Sequence, residues 1–204
     1  MTRARSLARA RGFSLIVAML MLAIIGLFSA AVMRNATSGD QVANNNRLQT
    51  QANQYAQLAL RFCETQMAQP PGARKVALLP AVSPAAWTVQ RNWTTTGSGS
   101  AHTLSAAEIG SATQPRIAPQ CVMEATSVAN VYTVTARGFS ADFKADPGTG
   151  ATRSGSTVWL QATIFAESDD GPSGGGGASA GAAAVTGPLT IKQRLWQQLL
   201  TPPF

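Results

Sequence analysis

Apolar residues run almost unbroken from Phe13 to Met33, and no charged residue falls between Arg11 and Arg34. Runs of ~17–25 apolar residues are long enough for one bilayer-spanning helix, and at about 1.5 Å per residue this one would extend roughly 30 Å. The pattern predicts a transmembrane helix over residues 13–33, or the core of a secretion signal. The period then changes. Ala52, Tyr55, Ala56, Ala59, Phe62, Cys63 and Met67 fall on one face at helical spacing, while Gln49, Asn53, Gln57, Arg61 and Glu64 fill much of the other. An amphipathic continuation of the helix is expected over 34–69. Weak helix formers around Gly39 (Asn35, Thr37, Ser38, Asp40) predict a flexible or locally melted join. Pro70-Pro71-Gly72 should end the helix, because proline cannot donate to the ladder and disfavours helix in the residue before it.

Past residue 70 the signal turns to strands. Residues 70–120 are rich in Pro, Gly, Ser and Thr, with apolar islands at 76–79, 86–93 and 102–109. In an extended chain Trp87, Val89, Arg91 and Trp93 share a face, which predicts a short strand or extended loop. Two tryptophans on one face suit packing more often than recognition. Residues 120–124, 131–137 and 156–166 carry the clearest strand patterns, dense in β-branched and aromatic side chains. Pro147-Gly148 and Gly150 mark a long loop over 142–153 that joins the last two as an antiparallel hairpin. The Gly/Ala tract over 168–188 has the composition of a flexible linker. The last segment, from Leu189 to Trp196, alternates like an edge strand; carried on through Leu200, the same residues also suit a short helix.

Charge refines this picture at the amino terminus. Arg3, Arg5, Arg9 and Arg11 precede the apolar run, and a basic flank stays on the cytoplasmic side. The expectation is a single-pass inner-membrane protein with its C-terminus in the periplasm. Signal peptidase offers another route, since Ser29-Ala30-Ala31 would release a product starting at Val32. Against it, the run is long for a signal core, and Gly12 stands before the run. The formal charge of +7 falls to +3 once the four leader arginines are set aside, and no Lys/Arg cluster remains. Nucleic acid is therefore not an expected partner.

Cys63 and Cys121 are the only cysteines, with 57 residues between them. In an oxidising compartment such a pair is most simply one disulfide; two buried thiols are the alternative.

At the amino terminus, Arg11-Gly12-Phe13-Ser14-Leu15-Ile16 resembles the class III leader junction of type IV pilins. The resemblance implies a leader over 1–12, prepilin peptidase cleavage between Gly12 and Phe13, and N-methylation of Phe13. The fifth mature position, commonly Glu in that family, is Val17 here. Lack of that carboxylate fits a tip subunit, which has no neighbour above it to pair with, and resembles the PilX-like minor pilins and K-type pseudopilins. The stretch 54–61 is similar to the region after the membrane helix in PilX-like proteins, with Gln in place of Glu. A Cys near a Glu, a Tyr-x-Val-Thr-Ala-Arg strand and a Val-x-Leu-Gln strand resemble the PilX-like head.

What the resemblance implies is an α+β, type IV pilin-like fold: a long N-terminal helix with a transmembrane N-terminal half, packed on a small antiparallel head over 70–204. The expected function is a non-catalytic minor pilin that primes type IV pilus assembly at or near the tip. Expected partners are other minor pilins and the major pilin, the prepilin peptidase, a tip adhesin, and the inner membrane before assembly. Small residues such as Ala18, Ala23, Gly26, Ala30 and Ala31 would allow close helix packing. The alternatives are a type II secretion pseudopilin, or a membrane-anchored or secreted binding module. The absence of a large inserted helical domain argues against the K-type pseudopilin.

Chemistry is sparse. His102 is the single histidine, and no His/Cys/carboxylate cluster has zinc spacing. Nothing supplies a nucleophile with a base, so neither an enzyme nor a cofactor or metal is expected. Asp142, Asp146, Asp169 and Asp170 are loop carboxylates of the kind calcium uses, but no EF-hand pattern surrounds them and solvated loops are the expectation.

Overall fold

The computed structural model describes residues 11–94, 99–110, 115–146, 152–168 and 187–203, with side chains of 11–13, 30, 31, 34 and 35 left out. The chain divides into two units, Met1–Asn46 and Arg47–Phe204. In the first unit all described residues are helical, forming the start of α1 (Arg11–Met67). The predicted melted join near Gly39 is not found. Helix runs through it, and the Thr37 hydroxyl donates to the Met33 carbonyl one turn back (3.2 Å), a bond Thr can make without leaving helical geometry.

The second unit holds the end of α1 and a six-stranded sheet. Its strands are β1 (Leu78–Leu79), β2 (His102–Thr103), β3 (Gln120–Ala125), β4 (Val131–Phe139), β7 (Thr157–Ser168) and β8 (Leu189–Leu199). The order is β1-β3-β4-β7-β8, with β2 pairing on β3. The β4–β7 connection is the predicted hairpin, and it carries its own small ladder of β5 (Lys144–Ala145) and β6 (Thr152–Ser154). The segment left open between strand and helix is β8, an edge strand. The Gly/Ala linker expected over 168–188 lies, apart from its ends, outside the described residues.

Helix α1 packs on one sheet face through very small side chains. Ala52, Ala56, Ala59 and Cys63 are fully buried against Met123, Val134, Ala136, Leu160, Ala162 and Ile164. These alternate positions along β3, β4 and β7 all point to the helix side, as strand geometry requires. At Gly138 the approach is closest: a Cβ there would lie 2.2 Å from the Ala52 carbonyl oxygen and 2.3 Å from the Ala56 nitrogen. The helix ends before Pro70, as expected, and Arg74 caps it. Its guanidinium donates to the carbonyls of Met67 (3.2 Å) and Gln69 (2.9 Å), and also to Gly187 just before β8 (3.1 Å). These satisfy carbonyls that the helix end leaves without partners.

Three expectations are corrected. Among the described residues no helix is long and apolar enough to cross a membrane. The transmembrane assignment of 13–33 therefore falls, and with it the single-pass inner-membrane placement. The expected fold class changes accordingly: no membrane-spanning half is found among the described residues, and the sheet is mixed rather than antiparallel, because β1 runs parallel to β3. The short strand or extended loop expected over 87–93 is instead two 3-10 turns, Ala86–Thr88 and Gln90–Trp93. Side-chain to backbone bonds win there: Asn92 donates to the Ala86 carbonyl (2.8 Å) and the Trp93 indole to the Trp87 carbonyl (2.9 Å).

Candidate assembly surface and the buried groups of the head

In the first unit, Leu15, Ile16, Leu20, Leu22, Leu27 and Phe28 are each more than half exposed. Because these positions fall all around a 3.6-residue period, the helix is apolar on every side rather than amphipathic. Its described side chains thus present apolar surface on every side of the helix. Ala18, Ala23 and Gly26 are exposed on it, and nothing lies within 4 Å of a Cβ built at Gly26. Val17 is 40 % exposed. Gly12 and Phe13 are in the first turn of α1, and Ala30 and Ala31 lie further along the same helix. The structure thus strings the predicted packing residues along one helix.

The predicted disulfide is present. Cys63 on α1 and Cys121 on β3 are bonded across a Cα–Cα distance of 6.4 Å, which fixes the end of the helix to the second strand from the sheet edge. Beside it, Glu64 is 7 % exposed; its Oε2 accepts from Arg194 on β8 (2.7 Å), while its Oε1 is buried without a donor among the described residues. The helix is thereby tied covalently to one side of the sheet and ionically to the other.

The opposite sheet face holds two buried charges that the sequence pattern does not single out. Arg137 on β4 is 5 % exposed. Its Nε donates to Gln120 Oε1 (2.7 Å) and its Nη2 to the Trp93 carbonyl. The guanidinium carbon lies 5.3 Å from the Trp93 ring, 5.0 Å from Phe139 and 5.4 Å from Trp159. Ring faces attract a cation, so three aromatics take the place of a carboxylate. Burial pushes the Arg137 pKa down to about 9, which keeps it charged at neutral pH. Trp93 and Trp159 meet edge to face at 4.7 Å, so Trp93 is a packing residue. Glu124 on β3 is also buried, and burial raises its pKa; its Oε2 accepts from the Ala86 backbone N–H (2.7 Å) at the start of the first 3-10 turn. Together these charges bind the irregular 86–93 segment to the sheet.

His102 has partners that its sequence neighbourhood does not suggest. Its Nε2 lies 3.1 Å from Glu108 Oε2, its ring stacks on Phe62 at 5.4 Å, and Lys75 is 3.4 Å from the other carboxylate oxygen. Glu108 belongs to the short helix α2 (Ala106–Ile109), and its carboxylate also accepts from the Ser105 N–H (2.8 Å). Burial alone would raise its pKa; the Ser105 N–H, then the His102 and Ser105 side chains, hold it down at about 2. A depressed acid adds stability that is complete above its unfolded value of 4.5 and disappears as pH falls toward 2. We therefore expect urea midpoints to fall between pH 4.5 and pH 2 in the parent chain, and to fall less over that range in Glu108→Gln. Parallel declines in both proteins would remove this account.

Two of the four loop carboxylates have local partners. Asp142 accepts from the Ser140 hydroxyl (2.5 Å), Asp146 pairs with Arg153, and Asp169 and Asp170 lie outside the described residues. Among the described residues no group of His, Cys, Asp or Glu is placed to hold a metal.

No family model matches the chain, and no curated protein or solved structure matches it.

Proposed function

We propose that the protein is a non-catalytic assembly subunit of the minor pilin kind, which primes a type IV pilus and stays at or near its tip. The observation that carries the reading is the uncovered apolar helix that follows the Arg11-Gly12-Phe13 junction. Side chains such as Leu15, Leu20, Leu27 and Phe28 need helices of other subunits to cover them, and Ala18, Ala23 and Gly26 let those helices approach closely. The first helical turn contains Gly12 and Phe13, so cleavage there by prepilin peptidase would leave the apolar helix at the new amino terminus. Val17 removes the usual acidic pairing partner, which suits a subunit with nothing stacked above it. A tip adhesin is the natural ligand of the head in this reading.

Intact mass of the protein from its native host tests the first step: the expected product begins at an N-methylated Phe13, and a Met1 or Val32 start would end the reading. Deleting the gene should abolish surface filaments. Normal filaments with a failure of protein secretion would move the subunit to the type II secretion system, where the helix would play the same physical part.

A further inference from the structure

The two edges of the sheet are guarded very differently. On the β3 side the edge is made of two-residue strands, β1 and β2, that end pairing almost at once. On the other side β8 runs for 11 residues, and among the described residues no element pairs with its outer edge. Proteins usually blunt such an edge with proline, charge, a bulge or brevity. Here the bulge sits toward one end, where Lys192 is the extra residue between the Phe165–Gln193 and Ala166–Ile191 pairs. From Gln193 to Leu199 the ladder is regular, contains no proline, and carries Leu195 at 74 % and Trp196 at 58 % exposure. Residues paired across strands share a face. Trp196 and Arg194, opposite Ala162 and Ile164, are therefore on the helix side, while Leu195 and Gln197, opposite Thr163 and Gln161, are on the other.

We infer that this edge joins a second copy of the same chain, β8 against β8, antiparallel about a two-fold axis at Leu195. The register is self-complementary. Leu195 meets Leu195, Gln193 meets Gln197 on the same face, and Arg194 meets Trp196 on the other. Arg194 already donates from one nitrogen to Glu64, which offsets its charge and leaves the flat guanidinium face to stack on the partner indole. Arg194 of one copy and Arg194 of the other are staggered rather than opposed. Centring the axis on Trp196 instead would set Leu195 against Gln197 and lose the cation–ring pair. Each pairing occurs twice, as an isologous interface demands, and the outer N–H and C=O groups of β8 gain partners in one sheet continuous across both copies. The inference stands independently of the filament reading.

Cross-linking in the full chain tests the register. Both native cysteines are used in the Cys63–Cys121 bridge, so a new cysteine is the sole free thiol. Leu195→Cys places two thiols at the axis. Gln198→Cys, also exposed, places them ~20 Å apart, beyond the reach of a disulfide. Under mild oxidation Leu195→Cys should form a covalent dimer at least about tenfold faster than Gln198→Cys. Adding Trp196→Lys should slow it, since two cations would then face each other. Both variants should keep the native bridge, showing that the head is folded. Equal rates at the two positions, no dimer from Leu195→Cys, or its capture by a different polypeptide would each overturn the inference.

Discussion

Replacing Gly138 with alanine is expected to cost roughly 3 kcal/mol or more of folding stability, at or beyond the upper end of ordinary overpacking. The added methyl group would sit 2.2 Å from the Ala52 carbonyl oxygen and 2.9 Å from the Ala56 Cα. Both are backbone atoms of α1, so no rotamer change relieves the clash; helix and sheet must separate along their contact. Separation would loosen the contacts of Ala52, Ala56 and Ala59, all fully buried. Gly26→Ala makes the control. It meets nothing within 4 Å, and in a helix interior alanine is favoured by roughly 0.5–1 kcal/mol. Urea unfolding of the three proteins should rank Gly26→Ala at or above the parent and Gly138→Ala far below. A Gly138→Ala protein as stable as the parent would mean that the helix does not lie this close to β4.

Removing the Cys63–Cys121 bridge is the second large effect. Its ends are 58 positions apart in sequence, and in the chain-entropy account a loop of that size is worth about 4 kcal/mol. The double variant Cys63→Ser, Cys121→Ser should lose about that much in denaturant unfolding. Reductant should lower the parent to the same level and leave the variant unchanged. If reduction leaves the parent unaltered, the bridge contributes nothing to the folded state.

The helix and the long strands were legible because their patterns are periodic over many residues. The alternation from Val131 to Arg137 and the β-branched density of 156–166 hold over enough positions to mark both strands. The cysteine pairing was legible from the count, since the chain has two cysteines and the simplest use of two is one bridge. The segment 87–93 misled because alternation over four positions cannot compete with specific local bonds, here from Asn92 and from the Trp93 indole to backbone carbonyls. The melted join was wrong for the opposite reason: the weak formers near Gly39 are few and lie between strong helical neighbours, so propensity yielded to continuity. The membrane expectation fell because no helix among the described residues is long and apolar enough to cross a membrane. The burial of Arg137 and Glu124 was not legible from the strands that carry them. In sequence each is one charged residue in an alternating strand, and only the folding of 86–93 over the sheet makes them buried. A sequence signal for Arg137 did exist in the tryptophans at 93 and 159, but it requires knowing that they converge.

The bridge between α1 and β3 also decides how the head would respond to being pulled. It joins the helix four positions before its last residue to the second strand from one edge. Tension entering along the helix and leaving through the strands that follow is shunted across the sulfur atoms, so everything from Glu64 to Gln120 stays out of the load path. Stretched one molecule at a time, the oxidised protein should lengthen by about 200 Å less than the reduced one, the span of those residues fully extended. The strained part of the head is thus shorter than its chain, and a thiol reagent sets how much of it gives way.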